Sequence, residues 1–267
     1  MKYQIYGLFI LVFLLMGANA VSIPSIPKLD EGEMDMLFMN LPDGEASLLT
    51  NAKGENVLIN TASERSQKQL YQMLSRLNID TLDWVIITNP DEAYTGNLDY
   101  LIDHYQVKKI VVPISFETAR IDSQKVEKWN LSQNYAIWDN LNMEAFDQSE
   151  EGNISFLLHY EKETILFLNH HGEMMEKRLL QLVQDVDMIK IADFGSVNSP
   201  SEQLLARLDP YLCVIFPSQT EEISDALVER LSATWIDVYF LQQTGSVYVR
   251  LTGRDYEILT GNSAVNA

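Results

Sequence analysis

The chain has little of what usually places a sequence quickly. A single cysteine, Cys213, stands in 267 residues. That excludes an internal disulfide framework and any zinc site built on cysteines. It also excludes a lipoprotein, which needs a cysteine at the signal cleavage point. Basic residues are scarce: 19 against 38 acidic ones, for a net charge of −19. A protein that binds a nucleic-acid backbone gains affinity through Lys and Arg, so this balance disfavours nucleic acid as a partner. No G-x-S-x-G elbow, P-loop or G-x-G-x-x-G is present. There is no short-period repeat, no internal linker and no second apolar run of membrane length.

Apolar residues nevertheless make up 46% of the chain, so it is neither a disordered acidic tail nor a low-complexity segment. The length allows one large domain or two small ones, and without a linker one is the simpler reading. The N-terminus has the layout of a secretory signal over residues 1–20. Lys2 gives a positive start, residues 8–16 (LFILVFLLM) are unbroken apolar, and Ala18 and Ala20 offer small residues for cleavage before Val21. The alternative is an uncleaved N-terminal anchor, the one route to a membrane. The run is shorter than the roughly 20 residues of a comfortable span, which favours cleavage. Removing residues 1–20 takes away Lys2 and no acid, so the remainder is still more acidic. A Pro-bearing leader covers residues 21–33, the domain residues 34–260, and a short tail residues 261–267. The implied location is secreted or at the bacterial cell envelope.

The remainder alternates strands and helices. Residues 36–41, 46–50 and 57–60 read as a three-strand antiparallel meander. Leu70, Met73, Leu74 and Leu77 recur at helical spacing. A buried strand at 84–88, a helix at 98–105 and a strand at 110–113 follow. A helix is expected over 117–129, then weaker strands near Ala136 and Met143. Residues 155–160 and 164–168 form a hairpin over a polar turn. Helices at 173–184, 202–208 and 224–232 alternate with strands at 188–192, 212–216 and 237–241. Strands at 246–251 and 256–259 close the chain. This order predicts an α/β (α+β) architecture of two facing sheets covered by helices, a four-layer αββα sandwich.

Five segments, in order, resemble the metallo-β-lactamase-fold domain of ComEC-type DNA-uptake proteins. Phe38-Met39-Asn40-Leu41-Pro42-Asp43-Gly44-Glu45-Ala46 resembles F-L-D-V-G-Q-G-D-A. Val57-Leu58-Ile59-Asn60-Thr61-Ala62 resembles I-L-I-D-G-G. Residues 82–98 (LDWVIITNPDEAYTGNL) resemble L-D-x-L-x-L-T-H-P-D-x-D-H-x-G-G-L. Ala192-Asp193-Phe194-Gly195-Ser196 stands where the family has P-H-H-G-S, and Thr244-Gly245-Ser246-Val247-Tyr248-Val249 matches D-G-A-V-x-V. The similarity runs from Met36 to Gly253. It implies the αββα fold with a metal site at strand ends between the sheets.

Most of the implied ligands are replaced. The first His becomes Asn89, the first Asp stays as Asp91, the second Asp is Ala93 and the second His is Tyr94. A later Asp becomes His170, and the P-H-H-G-S histidines become Asp193 and Phe194. Asn40 and Asn60 stand for two further aspartates. Ala93 and Phe194 cannot bind metal, Asn89 offers a neutral amide, and Tyr94 would have to lose a proton with a reference pKa near 10. Ala93 also removes the carboxylate that would orient an attacking water. Two readings follow: a metallo-β-lactamase fold without catalysis that binds an unidentified protein or small molecule, with no cofactor, or a rebuilt one-metal zinc or manganese site on Asp91, His170 and Asp193, with His171 nearby. Adjacent side chains leaving a strand diverge, so only one of His170 and His171 is expected in the pocket. A third reading, a competence or DNA-uptake accessory, follows from the family analogy alone. It would need a basic patch from Lys108, Lys109, Arg178 or Arg207.

Other residues read as structural. His104 lies on a helix surface, and His159 packs or hydrogen-bonds beside its turn. Cys213 is a core thiol. Ser196 serves turn chemistry or caps the helix near Ser201. The acidic run 147–151 is a solvated loop, lacking the alternating ligands of a calcium loop.

Overall fold

A computed structural model describes residues 28–117, 121–129, 131 and 134–261. The expected signal segment, most of the leader and nearly all of the tail lie outside the described residues. No helix among the described residues is long and apolar enough to cross a membrane.

The first sheet starts with the expected meander, β1 (Met34–Phe38), β2 (Ser47–Asn51) and β3 (Asn56–Ile59), paired antiparallel. Helix α1 (Gln67–Arg76) leads to β4 (Thr81–Ile86), and the short α2 (Glu92–Thr95) and α3 (Leu98–His104) lead to β5 (Gln106–Val112) and β6 (Val126–Lys128). Strands β3 to β6 run parallel. The second sheet takes β7 (Asn134–Trp138), β8 (Leu141–Gln148), β9 (Ile154–Tyr160) and β10 (Glu163–Phe167), followed by α4 (Glu173–Leu182), β11 (Met188–Lys190), α5 (Glu202–Leu208), β12 (Leu212–Ile215), α6 (Asp225–Ser232) and β13 (Asp237–Phe240). After the short α7 (Leu241–Thr244) the chain returns to the first sheet as β14 (Ser246–Leu251) and β15 (Tyr256–Gly261). The orders are β15-β14-β1-β2-β3-β4-β5-β6 and β13-β12-β11-β10-β9-β8-β7.

Alternation decides the layers. In β1, Met34, Met36 and Phe38 face the second sheet, while Leu37 faces outward with Leu70, Met73 and Leu74 of α1. In β9, Phe156, Leu158 and Tyr160 face the first sheet. Phe156 stacks on Phe167 of β10 with centroids 4.7 Å apart. On the far side, Leu166, Ile189, Cys213 and Ile215 pack under Met175, Leu179, Leu204 and Leu227 of α4 to α6. Strands buried on both faces read as near-continuous apolar runs, and that is the sequence seen here. The four-layer αββα sandwich is the observed architecture.

One expected element is different. The helix over 117–129 is replaced by a turn and the edge strand β6. The Asp122 carboxylate accepts the Gln124 N–H at 3.0 Å and the Asp122 carbonyl accepts the Lys125 N–H at 2.9 Å. Such an Asx turn competes with helix. Ile110 N–H then donates to Lys125, and the Trp129 indole N–H donates to the Ile87 carbonyl at 2.6 Å, drawing the segment onto the sheet.

Candidate functional site

Strands β1, β3, β4 and β5 point the same way in the first sheet, as do β10 to β13 in the second. Their following loops therefore gather along one rim of each sheet. A backbone mesh ties the loops of the first sheet: Asn60 N–H donates to Ile86 O at 2.8 Å, Thr61 N–H to Tyr94 O at 2.7 Å, Ala62 N–H to Glu45 O at 2.8 Å and Glu45 N–H to Ala93 O at 3.0 Å. The Asn97 side-chain amide donates to the carbonyls of Thr61 and Ser63, each at 2.7 Å. Gly44 has φ +86°, and a Cβ there would lie 2.2 Å from the Ala93 carbonyl, so only glycine fits.

The asparagines serve this mesh. The Asn60 Oδ1 accepts both the Thr88 N–H at 2.9 Å and the Thr88 hydroxyl at 3.0 Å. Asn89 is buried and accepts the Asp91 N–H at 2.8 Å. Asn40 donates its backbone N–H to Ser246 Oγ at 2.9 Å. Asp91 is exposed at the start of α2, and Ala93 borders a cavity of about 580 Å³ lined also by Asp43, Glu64, Arg65, Glu92 and Thr220. Tyr94 and Phe194 are both buried, with ring centroids 5.6 Å apart across the two sheets' rims. Burial holds the Tyr94 phenol well above its ordinary pKa, with Glu45, Asp193 and Asp91 adding to the effect, so it stays protonated. Phe194 reaches this position through three successive left-handed residues, Asp193 (φ 50°), Phe194 (φ 55°) and Gly195 (φ 76°). Non-glycine residues pay about 1–2 kcal/mol each for that conformation.

The histidines part company, as adjacent residues leaving a strand should. His171, the exposed one, sets Nδ1 2.8 Å from Asp193 Oδ2. His170 turns away: Nε2 lies 3.0 Å from Asp147 Oδ2 and Nδ1 lies 3.0 Å from Ser155 Oγ. Asp147 can only accept, and Ser155 already accepts the Asn169 N–H at 3.1 Å. The tautomer with its hydrogen on Nε2 fits these partners, donating to Asp147 and taking the Ser155 hydroxyl at Nδ1. Arg178 completes the set at 2.6 Å from Asp147 Oδ1. These partners name a Ser–His–Asp line, yet Ser155 has no exposed surface, so it cannot reach a substrate. Asp147 is accordingly a structural anchor at the end of β8 and no part of a solvated loop.

Behind the rings lies a group the sequence reading missed. Lys190 is fully buried and donates to Glu45 Oε2 at 2.8 Å, to Glu45 Oε1 at 3.0 Å and to Asn169 Oδ1. Asn169 in turn donates to the Ile154 carbonyl at 2.6 Å. Met188 and Lys190 share the inward face of β11, so the ion pair spans the space between the sheets. Burial pushes the Glu45 carboxyl up to about 7, against the opposing pull of Lys190, and lowers Lys190. The available signal was a lysine inside the apolar strand M-I-K-I, since lysine is almost never fully buried unpaired.

Among the described residues, no three His, Cys, Asp or Glu side chains are grouped so as to hold a metal ion. Asp91, His170 and Asp193 are thus not brought together. His170 is held on the Ser155–Asp147 side, and the rings of Tyr94 and Phe194 close the ground between the rims. The donor set does not fit a metal ion. Nor do the four basic residues form one patch: Lys108 pairs with Asp83 and Lys109 with Glu127 on the first sheet, while Arg178 and Arg207 lie on helices over the second. His104 stacks on Tyr100 at the surface, and His159 lies 3.4 Å from the Thr164 hydroxyl, as expected. Cys213 is buried and its thiol raised far above the ordinary range. Ser201 caps α5 with its own hydroxyl at 3.1 Å from Leu204 N, so Ser196 does not perform that role.

Among solved structures, the chain superposes on the metallo-β-lactamase fold protein YhfI from Bacillus subtilis with a TM-score of 0.55 and 8% identity, covering 77% of this chain and 95% of that one. The fold is that of the metallo-β-lactamases. A diphosphatase of the PhnP family gives a TM-score of 0.54 at 10% identity over 82% of this chain and 98% of its own. This metallo-β-lactamase-fold chain is also 22% identical over 261 residues to ComE operon protein 3 of Bacillus subtilis (strain 168), covering 86% of this chain. It spans about a third of that relative, 33% of its length. No protein-family model matches the chain.

Proposed function

We propose that this chain is a metallo-β-lactamase-fold binding or scaffolding module without hydrolase activity, exported to the cell envelope or beyond. The observation that carries the reading is the packed pair Tyr94–Phe194, two buried rings at positions aligned with histidine ligands. A protonated phenol and a phenyl ring offer no charge to a cation. The Glu45–Lys190 pair behind them satisfies the carboxylate that would otherwise seek one. The cavity beside Ala93 gives a ligand room next to this closed ground. Export rests on the signal-like residues 1–20.

The test is metal analysis of the purified protein together with assays on phosphodiester and ester substrates. The expected outcome is substoichiometric metal and no metal-dependent turnover. Stoichiometric zinc or manganese, with turnover abolished in Asp91→Ala or His170→Ala, would establish the rival: a phosphodiesterase- or nuclease-like hydrolase with one altered metal site. The His171–Asp193 pair at the rim is what favours that rival. A role as a competence accessory is supported by the similarity to ComE operon protein 3 and opposed by the net charge of −19. Titration with single-stranded DNA at moderate salt decides it, since binding there would outweigh the charge argument.

A further inference from the structure

Strand β13 is the outer strand of the second sheet, and among the described residues one of its edges is open. The Asp237 N–H donates to the Tyr211 carbonyl at 2.9 Å, on the β12 side. Successive residues of a strand turn their N–H and C=O groups to opposite sides, so Val238 presents both of its groups to the open edge. At four residues β13 is short, yet it carries no lysine, proline or bulge to turn a partner away. Trp235, two residues before it, is fully exposed.

At the other end of β13 a cavity of about 380 Å³ opens between the loop before α6 and the start of α7. Phe194, Phe216, Ile223 and Phe240 belong to its apolar lining. Glu221 and Glu222, both exposed, are the charged residues that line it, and among the described residues no basic one does. Thr220 lines both this recess and the cavity beside Ala93, where Asp43, Glu64 and Glu92 stand against Arg65 alone. The charge of the whole chain, −19, has the same sign. Taken in order along the edge, there are open main-chain groups, an apolar recess and exposed carboxylates. They fit an extended segment that brings main-chain groups, an apolar side chain and a positive charge. A strand of about six residues laid along β13 reaches from Trp235 to the recess. A second copy of this chain would bring a further −19 to the same carboxylates and fits less well.

We propose that β13 and this recess dock an extended basic segment of a partner protein. The segment adds a strand at Val238, sets an apolar side chain beside Phe240 and places a lysine or arginine near Glu221 and Glu222. This names a partner for the binding reading given above and rests on it.

The experiment is calorimetric titration of the full chain with the peptide acetyl-Lys-Val-Thr-Phe-Thr-Val-Lys-amide, with tryptophan emission followed in parallel. The expected result is saturable binding with an emission shift that is absent in Trp235→Phe. Replacing the peptide's Phe by Ala is expected to weaken binding about tenfold. N-methylation of alternate peptide amides is expected to weaken it about tenfold in one phase and to spare it in the other, the signature of strand pairing. Glu221→Gln with Glu222→Gln, on an exposed loop, is expected to weaken it about threefold, an effect that fades as salt rises. Absence of binding overturns the proposal. So does equal binding of the peptide with Glu in place of Lys, or an affinity indifferent to N-methylation in both phases. Sedimentation of the free chain as a dimer with Trp235 already shielded also overturns it, because the edge then belongs to a second copy. Metal content and turnover are measured on the same preparation. Absent binding without turnover overturns this proposal alone, whereas metal-dependent turnover overturns the reading beneath it as well.

Discussion

The buried ion pairs Asp35–Arg250 and Glu45–Lys190 differ in where they were built. Asp35 and Arg250 are direct cross-strand partners on β1 and β14, on the outward face of the first sheet. Arg250 donates Nε to Oδ1 at 2.9 Å and Nη2 to Oδ2 at 3.0 Å, and the Tyr248 hydroxyl also donates to Asp35. Asp35 and Tyr248 border a cavity of about 310 Å³ lined also by Lys28, Leu29 and Leu48 among others. Glu45, on the loop between β1 and β2 of the first sheet, meets Lys190 of the second in the closed space between them. The distances are alike, 2.8 to 3.0 Å. The balance of forces is not. At Arg250 the hydrogen bonds to Asp35 outweigh burial and its pKa rises, whereas at Lys190 burial outweighs Glu45 and its pKa falls. Pairing inside a sheet leaves charge favourable; pairing between sheets leaves it desolvated at a cost the partner only partly offsets.

The comparison can be broken at its strongest point first. Lys190→Met strands Glu45 in the interior and should cost about 3–5 kcal/mol in denaturant unfolding. A loss below about 1 kcal/mol would mean that water reaches the pair. The pH dependence has a definite sign. Glu45 has a raised folded pKa, so its contribution is fully present below the ordinary Glu range and fades as pH rises towards about 7 and beyond. Without Lys190 the folded value rises further, so the variant's deficit should shrink as pH falls from about 8 to 5. Asp35→Asn should cost less, about 1.5–3 kcal/mol, since the remaining Arg250 charge lies nearer water. The double change Glu45→Gln with Lys190→Met should return to within about 1–2 kcal/mol of the parent, because removing both charges removes the desolvation cost with the attraction. If the double variant is as weak as Lys190→Met, the pair holds the sheets together by charge itself. The smallest effect is expected at Ala62, which donates its N–H to the Glu45 carbonyl from a left-handed conformation with φ 55°. Ala62→Gly should raise stability by up to about 1 kcal/mol in thermal melts, relief of backbone strain outweighing glycine's entropy.

Legibility followed the range of the interaction. The meander, the hairpin over residues 161–163 and helices α1, α3, α4, α5 and α6 were readable, because apolar spacing and turn residues act within a few positions. The segment 117–129 was misread because its Asx turn at Asp122 and the docking of Trp129 on Ile87 outweigh a weak helical pattern. At the rim, the identity of the replaced residues was legible. Their orientation was not: His170 faces Ser155 and Asp147, and His171 takes Asp193. The Asp147 that His170 meets is itself held by Arg178, which approaches from a helix packed over the sheet.

By itself the sequence determined the alternation of strands and helices, the likeness of its loops to a metal-binding family and the loss of most ligand types at those loops. These are local facts of residue identity and order. Only the tertiary structure decided that Tyr94 meets Phe194 and that Lys190 finds Glu45. Each joins groups that are distant along the chain. Their energies come from burial and from partners, and neither exists until the two sheets have closed on each other.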